Sequence, residues 1–66
     1  MILFDAYSDK TVVYGGRFTL EARVDSEGRW DIYNRSYPSA PMLAGFPSRK
    51  KATRAAIQLI KGGKDE

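Results

Sequence analysis

All three prolines of the chain, Pro38, Pro41 and Pro47, fall between residues 36 and 47 together with Gly45. Proline fixes φ and offers no N–H, so that stretch predicts neither a continuous helix nor a central strand. Residues 37–47 are therefore read as a loop that divides the chain. Strand patterns precede it, and one helical pattern follows it.

Before the loop the apolar period is two. Ile2, Phe4 and Ala6 alternate with Leu3, Asp5 and Tyr7, which predicts a strand over about 1–8 that ends at Ser8-Asp9-Lys10. Thr11–Tyr14 is β-branched and aromatic, Gly15-Gly16 interrupts it, and a second strand region is read over about 11–24. Within it Phe18, Leu20, Ala22 and Val24 share one face, opposite Thr19, Glu21, Arg23 and Asp25. Asp25-Ser26-Glu27-Gly28 has turn chemistry, with Gly28 free to take a positive φ. A third strand over about 29–36 then completes a hairpin, with Trp30 and Ile32 inward and Tyr33 and Arg35 outward.

After the loop, Ser48 is placed to cap a helix over about 49–61 that stops at Gly62-Gly63. At about 100° per residue, Ala52, Ala55, Ala56, Leu59 and Ile60 form one stripe, while Lys50, Arg54 and Lys61 gather opposite it. Three alanines leave little bulk, so the helix should lie close over Phe18, Trp30 and Ile32. The expected fold is a single small α+β domain. It is a three-stranded antiparallel sheet, four-stranded if residues 11–14 pair separately, packed against one C-terminal α-helix.

A chain of 66 residues supports one domain and one small core. It contains no Cys and no His, which removes thiolate chemistry, sulfur-ligated zinc and the commonest general base. Neither a calcium-loop spacing nor a phosphate-loop glycine pattern is present. The expectation is a protein that is not an enzyme and uses no cofactor or metal. Met1-Ile2-Leu3-Phe4 meets Asp5 at once, and nothing approaches the roughly 18 apolar residues of a membrane span, so a cytoplasmic protein with no membrane partner is expected.

The net charge of +3 is unevenly spread. Residues 1–34 carry four basic and six acidic groups, whereas residues 35–66 carry seven basic and two acidic. Arg49, Lys50, Lys51, Arg54 and Lys61 dominate the second half, and the first three sit in the first helical turn, where the macrodipole favours anions. Cations kept there point to phosphate contact; the plainer reading is a solvated face. Arg23, Tyr33 and Arg35 interleave basic and aromatic groups on the outer hairpin face, a weaker nucleic-acid candidate diluted by Glu21, Asp25 and Asp31. Met42, Leu43 and Phe46 could form an apolar protein contact, or cap one end of the core.

Residues 48–57, Ser-Arg-Lys-Lys-Ala-Thr-Arg-Ala-Ala-Ile, resemble the start of the C-terminal helix in double-stranded RNA-binding domains. The likeness covers about ten residues. It implies a three-stranded sheet backed by that helix, with Arg49 and Lys50 as phosphate contacts and Ala52 and Ala56 as packing positions. No helix is read ahead of the sheet, and Thr53 stands where that family usually has a third basic residue. A strand-strand-strand-helix order is also similar in layout to the arm-binding domains of phage-type integrases, which lay the sheet on DNA.

Together these features lead to the expectation of a small non-catalytic nucleic-acid-binding module, with duplex ahead of single strand as its partner. The alternative is a small phage- or mobile-element-type protein that docks on an acidic protein surface and inhibits or modulates a host complex. A homodimer through an unpaired sheet edge is compatible with either.

Overall fold

The computed structural model of the chain describes residues 2–15 and 19–62. The order is β1 (Leu3–Ala6), β2 (Lys10–Tyr14), β3 (Thr19–Val24), β4 (Trp30–Asn34), β5 (Leu43–Phe46) and α1 (Arg49–Gly62). All strand pairs are antiparallel, and the five form one sheet in sequence order. The α+β class and the C-terminal helix follow the sequence reading, but the sheet has five strands rather than three or four. Lys10–Tyr14 does pair separately, on β1 and on β3.

The fifth strand corrects the reading of residues 37–47 as loop. Pro41 and Pro47 flank Leu43–Phe46 rather than interrupting it, and the strand lies at a sheet edge, where fewer backbone groups must pair. Its register shifts between Trp30 and Ile32, a bulge at which Gly45 adopts φ 85° and donates its N–H to the Asp31 carboxylate at 3.1 Å. Met42 N–H donates to the Ile32 carbonyl at 2.7 Å and leads the chain into the strand.

The β3–β4 hairpin forms as its sequence predicts. The Asp25 carboxylate accepts the N–H groups of Glu27 and Arg29 at 2.8 and 3.0 Å, and Gly28 takes φ 83°. That turn sets the register Val24↔Trp30, Ala22↔Ile32 and Leu20↔Asn34, so the apolar residues of both strands point the same way.

Against that face lies α1. Ser48 caps it, its Oγ accepting the Lys51 N–H at 3.3 Å. Ala52 and Ala56 are fully buried, and with Val13, Leu20, Ala22, Trp30 and Ile32 they form the core. The alanines let the helix approach closely enough to cover the larger strand residues. Burying each of Val13, Leu20 and Ile32 contributes on the order of 1.5–3 kcal/mol. Phe18, expected in this core, lies outside the described residues.

Size determines what the helix leaves bare. Five strands at roughly 4.8 Å spacing span about 19 Å, while a helix with side chains is about 10–12 Å across. α1 packs on β2, β3, β4 and β5 but not on β1. Phe4 and Ala6 pair with Val13 and Thr11 and so belong to the helix-facing side, yet both remain exposed.

Candidate nucleic-acid interface

The structure divides the eight basic and aromatic candidates between two sides of the sheet. Arg23 and Tyr33 lie on the face away from the helix, and Arg35 follows β4 to the same side, where all three meet Glu21. Arg49, Lys50, Lys51, Arg54 and Lys61 belong to α1.

On the outer face, Glu21 is the organising group. Its side chain is only 4% exposed, although it lies in the middle strand of the sheet and opposite the helix. Arg23 directs Nε and a terminal nitrogen to Oε1 at 2.9 and 2.8 Å, and Arg35 places Nε 3.0 Å from Oε2. A buried carboxylate is tolerated only when paired and hydrogen-bonded, and these two guanidinium groups satisfy it. Arg23 also lies over the Tyr33 ring, 4.8 Å from its centroid. From the sequence, Glu21 reads as a diluting surface charge; in the fold it is the anchor that holds both arginines. The register already contains that signal, because Arg23 is two residues along the same face of β3, and Arg35, two residues beyond the Tyr33 that pairs with Glu21, lies on its diagonal.

At the near edge of this face, the Tyr14 hydroxyl donates to the Asp5 carboxylate. That hydrogen bond is the main reason the phenol is held above its ordinary pKa, with desolvation and the Asp5 charge adding to it.

On the helix, Arg49 is engaged within the fold. Its guanidinium donates to the Ser8 carbonyl at 2.8 Å and to Thr11 Oγ1 at 3.4 Å, and stacks over Trp30 at 4.8 Å from the ring centroid. It ties the start of α1 to the β1–β2 turn. The phosphate role carried over to Arg49 by the double-stranded RNA-binding-domain likeness therefore meets a group already in use.

Lys50, Lys51, Arg54 and Lys61 are different. All four are exposed, none enters an ion pair among the described residues, and α1 contains no carboxylate. Lys50, Arg54 and Lys61 fall within about 40° around the helix and form a ridge about 16 Å long, while Lys51 stands to one side. Two hollows flank the ridge. The one towards β5, about 700 Å³, is lined by Leu43, Ala55, Gln58 and Leu59 among others; the one towards β1, about 530 Å³, holds Phe4, Ala6, Thr53 and Ile57.

The three apolar loop candidates separate. Met42 and Leu43 are exposed, whereas Phe46 pairs with Trp30 and packs against the core. Among the described residues no group of three or more Asp or Glu side chains could hold a metal ion. Among those residues, too, no helix is long and apolar enough to cross a membrane. No protein-family model matches the chain, and no curated protein or solved structure matches it significantly.

Proposed function

We propose that this protein is a non-catalytic nucleic-acid-binding module that takes the phosphate backbone on the exposed ridge of α1. The observation that carries the reading is the ridge itself: Lys50, Arg54 and Lys61 are aligned, solvent-facing and free of carboxylate neighbours on their helix. Such an array attracts a polyanion and releases its counterions, whereas the outer-face arginines are already engaged in ion pairs with Glu21. Lys51 adds charge beside the ridge. The likeness of residues 48–57 to a phosphate-contacting helix supports the same assignment for Lys50.

Binding to short nucleic acids at two salt concentrations tests it. The expected result is an affinity that falls as salt rises and is abolished in Lys50→Glu with Arg54→Glu, with the fold intact by circular dichroism. Absence of binding at low salt contradicts the reading.

A second reading, docking on a protein, is favoured by the exposure of Met42 and Leu43 beside the β5 hollow. Met42→Asp with Leu43→Asp separates the two, since it abolishes protein docking there and spares phosphate binding. Phe46 is no probe of that surface, because it is half-buried and packs against the core.

A further inference from the structure

We propose that the groove between β1 and α1 is a track for single-stranded nucleic acid, with bases stacking on Phe4 while phosphates follow Lys50, Arg54 and Lys61. The inference rests on the phosphate-binding reading above and specifies which nucleic acid the ridge takes. Sequence alone places duplex ahead; the surroundings of the ridge reverse that order.

The groove runs the length of the helix. Its first part, about 530 Å³, extends from Thr11 and Lys50 to Phe4 and Ile57, and a second part of about 520 Å³ continues from Phe4 and Ile57 to Ile2 and Lys61. Its floor is apolar, and Phe4 is 55% exposed. The bare floor is a consequence of the fold, since α1 is too narrow to cover β1 as well. Cations line one wall along the whole track: Lys50 and Arg54 in the first part, Lys61 in the second.

An aromatic platform beside a line of cations suits a strand that presents both base faces and phosphates. A duplex stacks its bases internally, so it could use the ridge but would leave Phe4 and Ile57 exposed to water. The hollow on the other side of the helix has no aromatic among its described lining residues and therefore provides no such platform. An acidic peptide added to the β1 edge would also meet cations and apolar floor. That edge is only four residues long and carries Asp5, features that oppose strand addition by an acidic segment. The ridge of about 16 Å is long enough for a few nucleotides.

The test compares fluorescence anisotropy of a short oligothymidylate, an abasic strand of the same length and a duplex of the same length, at low salt. The expected order is oligothymidylate tightest, with at least about a fivefold weakening in the abasic strand and in Phe4→Leu, and retention in Phe4→Trp. The exposure of Phe4 makes these variants fold-neutral, which amide spectra check. Equal or tighter binding of duplex, or of the abasic strand, overturns the single-strand assignment while leaving phosphate binding by the ridge intact. Indifference to Phe4→Leu overturns the stacking role. Failure of all three probes to bind overturns both this inference and the reading on which it rests, and points to an acidic protein partner.

Discussion

Arginines on the outer face of the sheet and cations on the helix have the same charge and opposite circumstances. Arg23 and Arg35 converge on Glu21, a carboxylate that the sheet has removed from water, and their side chains remain 44% and 59% exposed. Lys50, Arg54 and Lys61 face solvent from a helix that has no acidic residue. The first pair is required for the fold to tolerate a buried charge. The second group makes no ion pair or side-chain hydrogen bond among the described residues, which is the circumstance the proposed phosphate contact requires. A count of basic residues cannot make that distinction; the burial of one glutamate does.

The sharpest way to break the comparison is to remove the outer guanidinium groups. Arg23→Met with Arg35→Met leaves Glu21 buried and unpaired, and is expected to cost about 3 kcal/mol, the lower end for a broken buried pair because water can reach the site. Glu21→Gln leaves two arginines that can turn to solvent, and should cost about 1–2 kcal/mol. Urea denaturation of the three proteins checks the order. Equal and negligible costs would make the outer face an ordinary solvated one.

Arg49 lies between the two classes, a helix cation with a structural task. Arg49→Ala removes the hydrogen bond to the Ser8 carbonyl and the stack on Trp30, and is expected to lower stability by about 1–2 kcal/mol. Arg49→Lys should recover little of it, because an ammonium cannot lie flat on the indole while donating sideways. The midpoint of thermal unfolding followed by Trp30 fluorescence measures both.

Tyr14 gives the smallest effect. Its phenol titrates above the ordinary value in the folded chain, so the contribution of its hydrogen bond to Asp5 is complete below the unfolded pKa of 10.0. That contribution disappears as pH rises through the higher folded value. Phenolate absorbance should show one tyrosine ionising later than its ordinary value, and Tyr14→Phe should remove that late step.

Much of the inner face was legible because local chemistry and global pairing agree there. The Asp25–Gly28 turn set one hairpin register, and that register placed Leu20, Ala22, Trp30 and Ile32 on one side without further information. Ser48 and the alanine spacing likewise made α1 readable. The fifth strand was not, because Leu43–Phe46 is short, contains a glycine and pairs through a bulge whose cause is a tertiary partner, Asp31. The task of Arg49 was hidden for the same reason, since Ser8 and Trp30 reach it only after the sheet closes. The groove beside β1 depends on how many strands the helix can cover, a property of the assembled sheet that no segment contains by itself.

The most direct test of the division between structural and partner-facing cations is the salt dependence of single-strand binding in two variants. Lys50→Gln with Arg54→Gln and Lys61→Gln should reduce the slope of log affinity against log salt by about 2, at roughly 0.7 for each phosphate no longer neutralised. Arg35→Gln, which leaves Arg23 paired with Glu21, should leave the slope unchanged. A slope that survives removal of the ridge charges but falls with Arg35→Gln would place the interface on the outer face and contradict this assignment.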